Sequence, residues 1–325
     1  MKPTIEILER TKKNSETNKD EVFTKLYRYM LRPDLYYIAY KKLYSNNGAA
    51  TKGVNYDTAD GFSDEKIDKI IKSLTDESYS PKPSRRAYIK KQNGKKRPLG
   101  LPTFTDKLVQ EVLRMILESI YEPVFLDSSH GFRPKRDCHT ALKAVQYQLN
   151  GARWFIEGDI KGCFDNIDHS VLIGFINNKI KDARLIKLIC KFLKAGYMED
   201  FQYNNTYSGT PQGGIVSPIL ANIYLHELDK FVEKMSIEFQ APKKRYVTSE
   251  YSKISSAMAR SKKKLEKAVE AGDYAERNSL RQKIKSLRSE LLKTPCKSQT
   301  DKKIKYVRYA DDCAPRMRGQ AVQTA

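Results

Sequence analysis

Cysteine, histidine and long apolar runs are all scarce in this sequence, and each scarcity removes a class of function. Five cysteines occur in 325 residues: Cys138, Cys163, Cys190, Cys296 and Cys313. Their number is odd and no two form a Cys-x-x-Cys pair, which excludes a disulfide framework and fits a reducing compartment. The four histidines are His130, His139, His169 and His226. The adjacent Cys138-His139 lacks the spacing of a zinc finger, so no zinc is expected. No stretch approaches the roughly 18 apolar residues of a membrane span, and no signal peptide precedes the first charged residues. A cytoplasmic protein with no membrane partner is the expectation. No G-x-x-x-x-G-K-[ST] string is present, which excludes a P-loop ATPase, and no organic cofactor is expected.

Acidic residues are also in short supply. Asp+Glu number 39 against 60 Lys+Arg, a formal net charge of +21, while hydrophobic residues still make up 40% of the chain. That is enough to bury a core, and the length suggests about two domains. A folded body with this excess carries a positive field, and a polyanion, above all nucleic acid, is its natural partner.

Along the chain, residues 1–20 are polar and read as loose. Helical patterning starts near Glu21, continues through residues 35–43 and stops at Asn46-Asn47-Gly48. Residues 64–74 place Ile67, Ile70, Ile71 and Leu74 on one helical face. Residues 85–91 and 95–99 predict a hairpin turning at Gln92-Asn93-Gly94. It carries seven basic residues: Arg85, Arg86, Lys90, Lys91, Lys95, Lys96 and Arg97. Helices are expected at 106–121, 137–149, 171–178, 183–194 and 217–235, the last with Pro218 in its first turn. Strands are expected at 154–160, 201–207 and 304–310. Between Ala241 and Thr300 there are 16 basic and 6 acidic residues, close to half of the whole surplus. Leu280, Ile284, Leu287 and Leu291, with a weaker stripe of Met258, Leu265 and Val269, predict a helical hairpin there with a thin apolar seam and a basic exterior.

Two segments offer chemistry. Phe155-Ile156-Glu157-Gly158-Asp159-Ile160 is a strand ending on an acid, and Tyr306-Val307-Arg308-Tyr309-Ala310-Asp311-Asp312 is a strand with two acids at its tip. Phosphoryl transfer from a nucleoside triphosphate needs divalent metal held by hard oxygen ligands, supplied by carboxylates converging from different strands. Adjacent Asp side chains leave a strand on opposite faces. At a turn tip both can reach a metal, or one can play a supporting part.

A third segment, Gly209-Thr210-Pro211-Gln212-Gly213-Gly214-Ile215-Val216-Ser217-Pro218-Ile219-Leu220-Ala221-Asn222, resembles the corresponding block of group II intron reverse transcriptases. Tyr309-Ala310-Asp311-Asp312 resembles that family's signature tetrapeptide, and residues 155–164 resemble its first metal-binding motif. Ser129-His130-Gly131-Phe132-Arg133-Pro134 and Lys96-Arg97-Pro98-Leu99-Gly100-Leu101-Pro102-Thr103 resemble two further blocks, in the right order. Retroviral, retron and diversity-generating enzymes share the acidic motifs but resemble the Pro-Gln-Gly-Gly block less well. The resemblance runs from about Asp34 to Asp312, apart from the basic insertion.

The resemblance implies an α+β right-hand polymerase, of which fingers and palm are expected here, with an antiparallel palm sheet flanked by helices and the family's thumb absent. The implied division is a helical extension over 1–80, fingers over 81–150, and palm over 151–325 with the basic insertion at 243–300. It further implies that Asp159 and Asp311, with Asp312 as a further ligand or a support, hold two Mg2+ ions with the dNTP, joined by the Ile160 carbonyl. Phe164 matches the steric gate against a ribose 2′-OH, though a core aromatic would fill the same position. Lys91 and Arg97 match the cations that clamp the triphosphate. Gln212 and Gly213 match the loop near the incoming nucleotide, and Arg133 and Lys135 would touch the template backbone. Lys243, Lys244, Arg245, Lys262, Lys263 and Lys264 would contact RNA by charge clustering. The implied partners are a group II intron RNA and an RNA template with a DNA primer, in a bacterial cytoplasm; a homodimer is left open.

The sequence departs from the family after Asp312. Pro315 and the neighbouring basic residues make a poor central strand. A broken hairpin arm and weak polymerisation by this chain are therefore expected. Two functions follow for it: an RNA-directed DNA polymerase, or a maturase that folds intron RNA for splicing without polymerising.

Overall fold

The computed structural model describes residues 4–46, 48–55, 57–90, 94, 96–148, 154–210, 213–240, 247–296 and 303–318. The fold is mixed α+β. In chain order come α1 (Thr4–Thr17), α2 (Tyr27–Met30), α3 (Pro33–Tyr44), α4 (Asp64–Thr75), β1 (Ser84–Lys90), β2 (Lys96–Leu101), α5 (Phe104–Tyr121) and α6 (Cys138–Gln148). Then follow β3 (Trp154–Phe155), β4 (Gly158–Asp159), α7 (His169–Lys179), α8 (Ala183–Leu193), β5 (Tyr197–Glu199) and β6 (Gln202–Asn204). The last elements are α9 (Ser217–Phe239), α10 (Ser249–Glu270), α11 (Tyr274–Lys293), β7 (Lys303–Tyr309) and β8 (Asp312–Arg318). Two compact units emerge. One comprises Met1–Val145, Glu157–Phe231 and Val307–Cys313; the other comprises Gln146–Ile156, Val232–Tyr306 and Ala314–Ala325. None of the described helices is long and apolar enough to cross a membrane.

The first unit is built around α5. Thr103 caps it, its hydroxyl oxygen accepting the Asp106 N–H at 3.1 Å. That cap fixes one of the orphan donors of a helix start. Leu108, Val109, Val112, Leu113, Ile116, Leu117 and Ile120 have no solvent exposure. Each contributes about 1.5–3 kcal/mol of burial at most. Periodicity alone predicts one buried stripe. The helix is instead enclosed on several sides because α1, α2 and α3 all pack on it. Asp106, Gln110, Glu111 and Ser119 are therefore buried too. The Asp106 carboxylate accepts from the Tyr79 hydroxyl at 2.5 Å, the Thr103 hydroxyl at 2.6 Å and the Lys82 N–H at 3.2 Å. Burial pushes its pKa above the usual carboxylate range.

Residues 4–17 form a helix where the sequence reads as loose. The buried face of α1 is Thr4, Thr11 and Ser15, too polar to register as an apolar stripe. The Ser15 hydroxyl donates to the Ile120 carbonyl at 2.6 Å, and the Thr4 N–H donates to the Asp34 carboxylate at 3.0 Å. Ile7 and Leu8 pack against the core. Tertiary contact supplies what helix propensity does not.

A four-stranded sheet in the order β2-β1-β5-β6 lies in the same unit. The β1–β2 hairpin runs in antiparallel register from Arg85↔Leu101 to Lys90↔Lys96. Pro98 is tolerated because β2 is an edge strand, where a missing N–H breaks no ladder. The expected strand at 201–207 is shortened to β6, and a further strand, β5, precedes it. Asp200 and Phe201, both with positive φ, turn between β5 and β6, and β5 pairs in parallel with β1.

The expectation of a broken arm after Asp312 is overturned. Residues 312–318 form β8, which pairs with β4 through Gly158↔Cys313 and Asp159↔Asp312 and with β3 through Trp154↔Met317 and Phe155↔Arg316. Continuing the β3 register sets Pro315 opposite Ile156, which is in no strand. The single strand expected at 154–160 is interrupted at that point. The proline is accommodated where the ladder is already open, so β8 continues past it.

In the second unit α10 and α11 pack side by side. Thr248 caps α10, accepting the Tyr251 N–H at 3.3 Å, and its hydroxyl donates to the Pro295 carbonyl at 2.7 Å, closing the base of the pair. Gly272, at φ +70, makes the turn, and Asp273 caps α11. Ala268 and Leu280 are buried in the seam, while Ile284, Leu287 and Leu291 are half-buried.

Candidate active site

The acids of the two chemistry-bearing segments meet where β4 faces β8. Asp159 is the direct cross-strand partner of Asp312. Facing residues of an antiparallel pair share one side of the sheet, with Cβ atoms about 5 Å apart. Asp311 sits with Ala310 in the two-residue turn between β7 and β8, and its carbonyl accepts the Ile160 N–H at 3.3 Å. The three aspartates thus occupy one turn and the strand end beside it.

Their electrostatics agree. The Asp312 carboxyl is pushed above the usual range, first by burial and then by the negative charges of Asp311, Asp159 and Glu157. Glu157 is an addition to the expected set. It lies two residues before Asp159 in the interruption between β3 and β4, and no pattern in the sequence points to it. The acids form an open group. Asp159 and Asp312 are exposed, and among the described residues no three carboxylate, imidazole or thiol groups are close enough to ligate one ion.

The donor chemistry nonetheless suits a hard divalent cation. The negative charges that raise the Asp312 pKa would be offset by a cation among them. The Ile160 carbonyl accepts the Cys163 N–H at 3.1 Å and keeps a second lone pair. The nearby Cys163 thiol is buried, which pushes its pKa up and keeps it protonated, so it does not compete as a soft ligand.

Behind the turn lies a buried ion pair that the sequence does not announce. Arg308 and Asp229 have no side-chain exposure and meet at 2.7 Å. The Arg308 side chain also reaches Asn222, Ser129 and the Ala310 carbonyl. The His130–Phe132 segment crosses the same turn so closely that a Cβ on Gly131 would lie 2.3 Å from the Ala310 nitrogen.

Phe164 follows Asp159 on a short 3-10 turn, Cys163–Asp165. It is half-buried and edge-on to Phe132, ring centroids 6.0 Å apart. Its carbonyl accepts the Thr210 N–H at 2.7 Å. Gly209, at φ +82, fits against the carbonyls of Phe164 and Asp165. Gly213, at φ +100, lies against β2, where a Cβ would sit 2.3 Å from the Gly100 carbonyl oxygen. Gly209 thus sits against the Phe164 turn, and the segment from Gly213 onward sits against the strand that carries Arg97, which is exposed. The α5 residue Gln110 fixes that segment, the side-chain oxygen accepting the Ile215 N–H at 2.8 Å.

Arg133 is corrected by the structure. Its guanidinium is turned inward, donating to the Glu122 carboxylate at 2.9 Å and the Leu126 and Ser129 carbonyls at 2.7 and 2.8 Å, over the Phe125 ring. A buried guanidinium committed to these acceptors organises the 126–133 loop and is not presented to a template backbone. Lys135 is exposed, at φ +60. Lys262, Lys263 and Lys264 are exposed on α10 of the second unit. Lys91, Gln212, Lys243, Lys244 and Arg245 lie outside the described residues.

Residues 89–248 match the family model for reverse transcriptase (RNA-dependent DNA polymerase). The chain is 61% identical over 316 residues to the group II intron-encoded protein LtrA of Lactococcus lactis subsp. cremoris, covering 96% of this chain and 52% of that protein. It is 46% identical over 300 residues to an uncharacterised 91 kDa protein in the cob intron of Schizosaccharomyces pombe, covering 91% of this chain and 36% of that one. A putative COX1/OXI3 intron 2 protein of Saccharomyces cerevisiae is 35% identical over 309 residues, covering 94% of this chain and 34% of that one. The chain thus spans about half the length of the bacterial relative and about a third of the yeast ones. With the ordered blocks and the acids they bring together, the chain belongs to the group II intron-encoded reverse transcriptases and maturases.

Proposed function

We propose that the first unit is the nucleotide-adding part of an RNA-directed DNA polymerase that extends a DNA primer on an RNA template. The observation that carries this reading is the pairing of Asp159 with Asp312 across β4 and β8, with Asp311 in the adjoining turn. Asp159, Asp311 and Asp312, with the Ile160 carbonyl, would hold two Mg2+ ions. When bound, these ions stabilise the negative charge that develops as the primer hydroxyl displaces pyrophosphate. The chain's own residues bind and orient. Arg97 on β2, with Lys91, grips the triphosphate, since a guanidinium pairs two phosphate oxygens at once. The Gly213 loop brings backbone close to the nucleotide, and Phe164, steadied by Phe132, meets a 2′-hydroxyl with a steric clash. On this reading β1–β2 belongs to the fingers and the β4–β7–β8 region to the palm. The test is extension of a DNA primer on an RNA template by the protein that carries this chain. Extension is expected with Mg2+ and dNTPs; its absence with every divalent metal would overturn the reading.

The second unit binds intron RNA in this reading, which supports splicing and retrohoming. The supporting observation is the solvated basic surface of α10 around Lys262–Lys264. Consecutive helical residues point about 100° apart, so at most two of the three face one RNA backbone. Replacing all three by Gln is expected to reduce the salt slope of RNA binding, log affinity against log salt, by about 1–2. An unchanged slope sinks the assignment.

A further inference from the structure

Arg308 is one of the largest side chains with no solvent exposure among the described residues, and it carries a charge. Nε and Nη2 donate to the two carboxylate oxygens of Asp229 at 2.8 and 2.7 Å. Nη2 also donates to the Ser129 hydroxyl at 2.7 Å, and Nη1 donates to the Asn222 side-chain oxygen at 3.2 Å and the Ala310 carbonyl at 2.9 Å. Asn222 closes the circuit, its amide donating to the Gly131 carbonyl at 2.8 Å. The backbone repeats the connection: Arg308 N–H donates to the Ser128 carbonyl at 2.8 Å, and His130 N–H donates to the Arg308 carbonyl at 2.9 Å.

A buried ion pair is a poor way to gain stability, because apolar residues of similar volume often do as well or better. What it supplies is geometry. Five donors in a rigid fork join α9, the 128–131 loop and the β7–β8 turn at fixed distances. The bond to Ala310 matters most. Ala310 holds φ +55, a left-handed conformation that a residue with a Cβ adopts at a cost of about 1 kcal/mol or more. Its carbonyl leads directly into Asp311. Fixing that carbonyl fixes the direction in which the turn delivers Asp311 and, one residue on, Asp312.

We infer that Arg308 is a positioning residue which, through the Ala310 carbonyl and the Asp229–Asn222 network, holds Asp311 and Asp312 in register with Asp159 for metal binding. The inference rests on the proposed reading that these three acids bind the metal.

Two variants and two readouts test it in the 325-residue chain: Mn2+ affinity, from the electron paramagnetic resonance of free Mn2+, and thermal midpoint. Arg308→Lys keeps the charge beside Asp229, but a single ammonium cannot reach Asp229, Asn222 and Ala310 together. In the double variant Arg308→Met/Asp229→Leu both charges are gone, so no lone charge stays buried to unfold the chain. Both variants are expected to bind Mn2+ about tenfold more weakly, while the double variant keeps a thermal midpoint near that of the wild type. A purely structural role moves the midpoint and leaves Mn2+ affinity unchanged in whichever variant folds, and that result overturns the inference. Asp159→Ala separates the two levels. If it leaves wild-type Mn2+ binding intact, the acid-site reading falls and the inference with it. If it abolishes binding while Arg308→Lys does not weaken it, only the inference falls.

Discussion

Asp159→Ala is expected to lower primer extension by at least about 10³-fold, about 4 kcal/mol of transition-state stabilisation, without lowering the thermal midpoint. The two halves of this result have one cause. Asp159 faces Asp312 across the ladder, and Asp312 already carries a raised pKa from burial and from Asp311, Asp159 and Glu157. Without a cation this group of acids repels itself, so removing one charge relieves the folded chain. On the proposed reading catalysis needs that charge, because Asp159 would help hold the ions that offset the charge developing on pyrophosphate. The Asp312 pKa is also expected to fall back toward the ordinary carboxylate range in the variant, measurable by carbon-detected NMR titration. A variant that loses activity and also melts far below the wild type would show Asp159 to be structural. A variant that extends primers normally would remove it from the site.

Gly131→Ala is expected to be the most damaging single methyl addition at the acid turn. The new Cβ would lie 2.3 Å from the Ala310 nitrogen and 2.9 Å from its Cα. Both are backbone atoms of a strained turn, so no side chain can swing away. Overpacking of this kind costs about 1–3 kcal/mol, occasionally more, and a loss of that size lowers the melting temperature by about 2–6 °C. Activity is expected to fall further than stability, because the displaced atoms adjoin Asp311. Gly174→Ala is the matched control. Gly174 sits within α7, and a methyl added there would meet nothing within 4 Å. Exchanging helical Gly for Ala stabilises by up to about 1 kcal/mol. Equal melting temperatures for the two variants would show that the turn can shift to admit a methyl.

The legibility of the chain is uneven, for reasons that lie in particular residues. The Gly-rich block at 209–214 could be read because close backbone approach permits few residue types. Gly209 against the Phe164 and Asp165 carbonyls and Gly213 against Gly100 are such approaches. Helices α4, α5 and α8 could be read because their apolar residues recur at helical spacing. α1 could not, since its inward face is Thr4, Thr11 and Ser15 and its partner is α5. β8 could not, because local propensity condemns Pro315, and only the interrupted strand opposite makes room for it.

Charge was the least reliable guide to exposure. An arginine in the His-Gly-Phe-Arg-Pro block reads as a contact for phosphate, yet Arg133 is turned onto Glu122 and the carbonyls of its own loop. Arg308 reads as one more basic residue in a basic chain and is wholly buried. Its partner Asp229 is 79 positions away, a separation across which no periodicity or motif carries information.

The amino-acid sequence by itself determined the family, the three aspartates offered for the proposed chemistry and the surplus of positive charge that calls for a nucleic acid. Short motifs suffice for these because each residue's chemistry is its own. Tertiary structure alone decided that Asp159 faces Asp312, that Glu157 adds to their field, and that Arg308 and Gly131 fix the turn between β7 and β8. Those facts depend on where distant segments meet, and burial there turns a solvated cation into the clamp behind the acids.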